Sequence, residues 1–375
     1  MYRNERNLLE SSGIEVIPFE LHNDDIEIED IASRLKIGLS TVWSFDAARR
    51  LSELIETTRP DVAHFHNTFP QMSPSVYAVC RKHSVPVVQT LHNFRLICPG
   101  ALLMRNDRPC EDCVGTTLLP ALIHRCYRQS FAATFSLALT LQFNRLVGSY
   151  RNNVDRYIAL TQFQRTCLVK GGIPEHKIVV KPNFLAKPPD QGTGNGGYAL
   201  FVGRLTREKG VDLLLTAWKG LRDLRLKVAG DGELRAELQQ QSRLHDLPVE
   251  FLGFQHYQDV LRLIGGASLL IMPSRWYEGF PMILLEAFAC GTPVVASSIG
   301  SLEEIVSNVP GCVTFTPDVS DSLISAVRQA SANASSNPKT RDQIRNLFDT
   351  RYTAHRNLGQ LRSIYASISR RRLDS

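Results

Sequence analysis

Glu278-Gly279-Phe280-Pro281-Met282-Ile283-Leu284-Leu285-Glu286, running on through Ala287-Phe288-Ala289-Cys290-Gly291-Thr292-Pro293, is the stretch on which the reading of the fold turns. Two acids bracket a Gly-Phe-Pro turn and the opening of a helix, so Glu278 sits on a loop and Glu286 about a turn inside the helix. Unpaired N–H groups at a helix start carry the positive end of the dipole and suit an anion, while flanking carboxylates accept hydrogen bonds from polyol hydroxyls. A metal would require its ligands to converge more closely. Upstream, Ala267-Ser268-Leu269-Leu270-Ile271-Met272-Pro273-Ser274 is an apolar strand ending in a turn, and downstream Thr292-Pro293-Val294-Val295-Ala296-Ser297 is another. This strand, turn, helix, strand unit belongs to a doubly wound α/β sheet, which binds ligands at the carboxyl ends of its strands.

The same alternation extends both ways. Short β-branched runs are expected as strands at Ile14–Leu21, Asp61–His66, Pro86–His92, Arg156–Thr161 and Lys177–Pro182. A second set covers Tyr198–Gly203, Leu226–Gly230, Val249–Gly253, Ser268–Pro273, Pro293–Ser297 and Cys312–Thr316. Residues 186–197, rich in Pro, Gly and polar groups, read as a linker between the two sets. Asp318–Ala334 and Asp342–Arg370 read as helices. With 375 residues, 43% of them hydrophobic and 21% charged, the chain can bury two cores. No apolar run is long enough to span a membrane and no signal pattern opens the sequence, so a cytoplasmic protein with reduced cysteines is expected. A dinucleotide-dependent oxidoreductase is disfavoured because no G-x-G-x-x-G follows a strand.

Three further segments carry chemistry in the second half. Phe201-Val202-Gly203-Arg204-Leu205-Thr206-Arg207-Glu208-Lys209-Gly210 is a strand that breaks at glycine into a basic loop, and Arg204 and Lys209 are placed to meet a diphosphate. Arg207 is expected to face water. Val228-Ala229-Gly230-Asp231-Gly232-Glu233-Leu234 reads mainly as a tight turn, and Phe251-Leu252-Gly253-Phe254 closes another strand. In the first half, His92 ends the apolar run Val87-Val88-Gln89-Thr90-Leu91-His92, where an imidazole can hydrogen-bond a substrate or manage a proton. His66 is the second candidate, and His64 reads as core.

Taken together these segments resemble the GT4 family (group 1) of retaining glycosyltransferases, with its E-x7-E signature. The resemblance covers nearly the whole chain. It implies the GT-B fold, an α/β architecture of two Rossmann-like, doubly wound parallel-sheet domains facing across a cleft. Residues 1–185 would form the acceptor-side domain, 198–352 the nucleotide-sugar domain, and 353–375 a helix crossing back to the first. It also implies roles: Arg204 and Lys209 stabilise the departing diphosphate, Glu278 and the backbone that follows it through Gly279, Phe280, Pro281 and Met282 hold the sugar, Glu286 binds the ribose, Gly203, Gly253 and Phe254 line the nucleotide, and His92 contacts the sugar near the reacting centre. The resemblance further implies that catalysis requires no cofactor, that the donor is UDP- or GDP-linked, and that the acceptor is a glycan or lipid-linked intermediate. The same residues would also serve a sugar-nucleotide epimerase or an inactive donor-binding remnant. The family normally opens with a strand and a Gly-rich loop, whereas Met1–Gly13 already reads as the helix that follows them, so 10–20 further residues are expected upstream by typical element lengths.

Two features lie outside that chemistry. Cys98, Cys110, Cys113 and Cys126 form a C-x11-C-x2-C-x12-C arrangement that admits structural zinc, an unmetallated thiol cluster or disulfides. From Val114 to Val154 there is no acidic residue, while Arg125, Arg128, Arg145 and Arg151 punctuate an apolar stretch. That composition reads either as a core helix pair with a few solvated arginines or, with a net charge of +6, as a basic amphipathic surface for an anionic leaflet on the inner face of the cytoplasmic membrane. No nucleic-acid module is present.

Overall fold

The computed structural model describes residues 1–21, 41–69 and 71–369. These divide into two units, residues 1–103 and 110–182 with the chain from Leu358 onward, and residues 104–109 with 183–357.

The first unit is built on a parallel sheet of β1 (Ala63–Phe65), β2 (Val87–Thr90), β5 (Arg156–Ala159) and β6 (Ile178–Val180), in the order β1-β2-β5-β6. Between β2 and β5 the chain makes the antiparallel two-residue ribbon β3 (Met104–Arg105) and β4 (Arg108–Pro109). β2 is buried along its whole length, as a strand flanked on both sides must be. On one face Val88 and Ile158 meet Leu9 of helix Tyr2–Ser11 and Leu361, Ile364 and Tyr365 of helix Ala354–Ala366. Ile14–Leu21, expected as a strand, joins no sheet. Ile14 and Val16 pack against the same apolar cluster, so their burial is satisfied by side chains without a ladder. The helix expected over Asp342–Arg370 is two helices, Thr340–Arg351 and Ala354–Ala366. They break where Thr353 pairs with Leu185 in an isolated parallel bridge. Arg370 lies outside the described residues.

The second unit holds six parallel strands: β7 (Tyr198–Val202), β8 (Arg225–Ala229), β9 (Val249–Gly253), β10 (Leu269–Met272), β11 (Val294–Ser297) and β12 (Val313–Phe315). Their spatial order is β12-β11-β10-β7-β8-β9. The first strand of the unit therefore lies between its fourth and its second, and the direction of winding reverses between β7 and β10. In open α/β sheets ligands bind at that switch point, beyond the carboxyl ends of the strands. The core is continuous from Trp218 and Leu214 through Val228 and Ile271 to Val295.

Stretch 186–197, linker-like by composition, is laid along this unit. Gly192 N donates to Cys290 O, Gly194 N to Gly265 O and Gly196 N to Gly266 O. Arg341 fastens it from the other side, donating to Gly192 O, Ala267 O, Gly265 O, Cys290 O and Thr292 Oγ1. Nε and Nη1 each meet one acceptor and Nη2 shares its two hydrogens among three, a convergence to which arginine's rigid fork is suited.

At the switch point the loops touch backbone to backbone. Gly230 has φ +138°, and a Cβ there would stand 1.9 Å from Gly203 O; one on Gly210, φ +69°, would stand 2.0 Å from Pro273 O. Only glycine allows both the dihedral and the approach. Gly230→Ala is expected to destabilise the protein by at least about 2 kcal/mol, read as a lowered chemical-denaturation midpoint, and an unchanged midpoint would refute the close packing.

Candidate active site

Lys209 follows β7 and Glu278 follows β10, so the reversal in strand order brings together two groups 69 residues apart. Lys209 Nζ lies 2.6 Å from Glu278 Oε1. The same oxygen accepts from Ser274 Oγ at 2.9 Å and Trp276 Nε1 at 3.0 Å, and Lys209 Nζ stands 5.4 Å from the Trp276 ring centroid. Glu278 is buried. Three donors, one of them the Lys209 ammonium, account for a carboxylate being tolerated there. Ser274 and Trp276 escaped the sequence reading, although they lie four and two positions before Glu278. Each is a donor with no other mark in the pattern.

Behind Glu278, Pro281 caps helix Met282–Ala289 with no side-chain hydrogen bond; Leu284 N donates to Pro281 O, and the amides of Met282 and Ile283 are left open to an anion. Phe280 is buried, its carbonyl accepting from Asn183 Nδ2 at 3.3 Å. Glu286 lies in the helix, buried, and accepts a hydrogen bond from Tyr257. Burial pushes its pKa up to about 7, and Tyr257 only partly offsets the rise.

The remaining donor-side residues vary in exposure. Arg204 is exposed and pairs with Glu208 at 3.2 Å. Arg207 faces water. Arg275, missed by the sequence reading, ties the loops together: it binds Asp212 at 2.6 Å, contacts Asp318 and donates to Arg207 O at 3.0 Å. Gly253, φ +68°, accepts from Gly230 N at 2.8 Å, and Phe254 is 73% exposed. The Gly230-Asp231-Gly232 turn is internally satisfied. Asp231 bonds Gly232 N and Arg235.

In the first unit His92 belongs to a chain of buried polar groups. His92 Nε2 and His66 Nδ1 are 3.0 Å apart, and His66 Nε2 lies 3.3 Å from Glu5 Oε2. Glu5 Oε1 lies 3.0 Å from Lys181 Nζ, with both residues almost fully buried. The carboxylate favours a proton on the facing nitrogen of His66, so Nδ1 accepts a bond donated by His92 Nε2. His92 Nδ1 is then the acceptor it presents. Burial lowers the His92 pKa to about 4, and burial with Lys181 lowers that of His64 to about 3. Near neutral pH both rings are therefore uncharged. His64 is engaged at both nitrogens, by Tyr365 Oη at 2.7 Å and Thr90 Oγ1 at 2.8 Å. Glu5, His64 and His66 offer three ligand atoms within 4.8 Å of one another, but Lys181 already supplies the cation. A cavity of about 330 Å³ opens beside His66, lined by Tyr2, Arg3, Phe19, Glu20, Asn67 and Gln71 among others.

The family model described as "Glycosyltransferase Family 4" matches residues 7–185, and that described as "Glycosyl transferases group 1" matches residues 187–347. An uncharacterized glycosyltransferase of Methanocaldococcus jannaschii is 29% identical over 255 residues, 68% of this chain; the chain spans 60% of that relative's length. Among solved structures, sucrose-phosphate synthase from Thermosynechococcus elongatus superposes with a TM-score of 0.67 at 16% identity, covering 98% of this chain and 92% of that one. The Anabaena protein HepE in complex with UDP and glucose gives 0.60 at 19% identity, covering 96% and 89%.

The raised pKa of Glu286 makes a pH prediction. From its ordinary value of 4.5 up to about 7 the folded protein holds a proton that the unfolded chain has released. Stability therefore falls as pH rises through this window, by up to roughly 3 kcal/mol. Glu286→Gln, which cannot ionise, is expected to lose less stability than wild type between pH 5 and pH 8 in denaturant titrations. Parallel pH profiles would rule out the buried acid.

Proposed function

The chain belongs to the family 4, group 1 glycosyltransferases, and from that premise we propose that it transfers a sugar from a UDP- or GDP-linked donor to a glycan or lipid-linked acceptor with retention of anomeric configuration. The observation that carries this reading is the Lys209–Glu278 contact at the switch point, with Glu286 one helix turn away. In the resting protein Lys209 and Glu278 neutralise each other. A bound donor replaces that contact with two complementary ones, diphosphate on the ammonium and sugar hydroxyls on the carboxylate.

On this reading Arg204 and Lys209 stabilise the charge that grows on the diphosphate as the glycosidic bond breaks. The amides at the start of helix Met282–Ala289 hold the sugar alongside Glu278, and Glu286 accepts from the ribose hydroxyls. Gly203, Gly253 and Phe254 border the nucleotide. The acceptor hydroxyl attacks on the face from which the diphosphate leaves and passes its proton to the departing phosphate oxygen. No carboxylate nucleophile and no divalent metal is invoked. His92, uncharged at neutral pH, is assigned to contact the sugar near the reacting centre as a hydrogen-bonding group. The UDP and glucose bound by HepE make UDP-glucose the first donor to try.

Helix Phe131–Leu146 supports a membrane-borne acceptor. Phe131, Phe135, Leu139, Phe143 and Leu146 are all exposed, at spacings that line one face, with Leu119 and Ile123 exposed nearby. Arg125 and Arg128 precede this stripe and Arg151 follows it, all exposed. An apolar face flanked by arginines suits the boundary between headgroups and acyl chains of an anionic leaflet.

Titration calorimetry with UDP-glucose and GDP-mannose, followed by transfer assays on membrane extracts, tests the proposal. Lys209→Ala and Arg204→Ala are expected to act mainly on kcat. Glu286→Ala is expected to weaken donor binding about tenfold or more, as loss of a charged acceptor does. Wild-type kinetics in all three would end the assignment. Cosedimentation with phosphatidylglycerol vesicles tests the stripe: Phe135→Glu with Phe143→Glu is expected to reduce binding at least about tenfold while leaving donor affinity intact. Equal binding to neutral and anionic vesicles, or no binding, would remove the membrane from the proposal.

A further inference from the structure

The four cysteines singled out in the sequence lie in a segment that regular structure does little to hold. From Cys98 to Cys126 the chain forms only the ribbon β3–β4 and the five-residue helix Leu119–Ile123. Five of the twelve non-glycine residues at positive φ among the described residues fall here: Ala101, Leu103, Asn106, Asp107 and Arg125. Such conformations persist only where the surroundings over-determine them.

Local hydrogen bonds bring the cysteines back to one place. Cys98 N donates to Phe94 O, Ala101 N to Cys98 O and Cys110 N to Leu103 O, while Cys126 N donates to Ala121 O. Val114 N donates to Glu111 O and turns the Cys110–Cys113 pair into a knuckle. Gly100 records how close the ends come. A Cβ there would lie 3.7 Å from Cys98 Sγ, 3.7 Å from Cys126 Cβ and 3.3 Å from Cys126 O, so Gly100 is the spacer between the first and last cysteines. The Cys113 thiol bonds the backbone of Ala121, whose carbonyl accepts from Cys126 N, so the knuckle and the last cysteine share one anchoring residue.

A second feature concerns charge. Arg95 and Arg145 are half-buried in this region, and neither has a carboxylate partner among the described residues. Arg95 lies over the rings of Phe69 and Tyr127, at 4.6 Å and 5.1 Å from their centroids. Arg145 Nη2 donates to Leu96 O at 3.2 Å. The titratable groups nearest to them are Tyr127 and then Cys98 for Arg95, and Tyr150 and then Cys113 for Arg145. Two guanidiniums without counter-ions are costly among neutral thiols. A centre of four thiolates and one divalent cation, with a net charge of about −2, would balance them.

We propose that Cys98, Cys110, Cys113 and Cys126 bind one structural zinc ion as four thiolates, with Arg95 and Arg145 compensating the charge of the centre. Binding releases the thiol protons to solvent and draws the sulfurs to the separations that zinc–sulfur bonds of about 2.3 Å require. In the structure they are gathered less tightly than the Glu5, His64 and His66 triangle. The metal is thus what fixes the segment, and its donor set is closed to substrate. The inference stands apart from the transferase reading, since none of these residues is assigned to donor or acceptor.

The test is elemental analysis of full-length protein purified under reducing conditions without chelator, supplemented with zinc and desalted. About one equivalent per chain is expected. Cys110→Ser and Cys113→Ser are expected to lose it, and Cys312→Ser, whose sulfur accepts from Val294 N in the second unit, to retain it. If the cluster variants fail to fold, cobalt substitution of the wild type decides: thiolate-to-cobalt charge-transfer bands with tetrahedral ligand-field absorption support the site. Wild-type protein that takes up neither metal, a disulfide among these four residues under reducing conditions, or zinc retained in both variants would overturn the proposal.

Discussion

Glu278 Oε1 receives Lys209, Ser274 and Trp276 at one point, and the second unit is arranged around that convergence. Lys209 and Glu278 follow the strands on either side of the winding reversal, so their meeting requires β7 and β10 to be neighbours and both loops to bend inward. The bend depends on glycine. Gly210 passes against the Pro273 carbonyl, and Gly230 against that of Gly203, so a side chain at either position would force apart the loops that bring ammonium and carboxylate together. A buried carboxylate without its cation would be strongly destabilising, which means that the contact holds the loops as much as the loops hold the contact. Arg275, anchored to Asp212 and Asp318, ties the same loops from the outer side.

The first unit meets the cost of burying charge differently. Glu5 and Lys181 form an ion pair inside it, and the interior around them is populated by imidazoles kept neutral by desolvation. A neutral histidine can both donate and accept, so His66 relays the carboxylate's preference to His92 without carrying charge. The tautomer of His92 follows from a residue on the first helix of the chain. Burial makes His92 a poor proton store at neutral pH and a well-defined hydrogen-bonding group.

Much of this was legible beforehand, for reasons that differ by segment. All six strands of the second unit fall where strands were expected, most plainly β10 and β11, which are buried throughout and read as continuous apolar stretches. Glu278 and Lys209 were visible because each sits at a strand end beside a turn signal. Ile14–Leu21 misled because an apolar run records packing and not hydrogen bonding, and here Ile14 and Val16 are partly buried against the core by side-chain packing alone. Glu5 and Lys181 were illegible: each carries an ordinary surface residue's identity, and their pairing depends on a contact 176 positions apart. The strap at 186–197 shows the same ambiguity in glycine. Composition that signals a flexible connection equally serves close approach, and Gly192, Gly194 and Gly196 each use their small size against the backbone or side chains of the second unit.

Helix Phe131–Leu146 shows where sequence and structure are informative only together. Its inner face buries Leu137, Ala138 and Leu141 and even Asn144, whose amide bonds the Thr140 and Val42 carbonyls. The outer face carries phenylalanines and leucines, so the helix is apolar all round. Such helices are normally enclosed, yet here one face is exposed along its whole length, making a continuous apolar surface of the kind that marks an interaction site. The absence of acids from Val114 to Val154 then bears on the choice of partner. On the membrane reading proposed above, an anionic leaflet would repel a carboxylate that the rim of a protein interface would tolerate, and the arginines that flank the stripe would meet lipid phosphates.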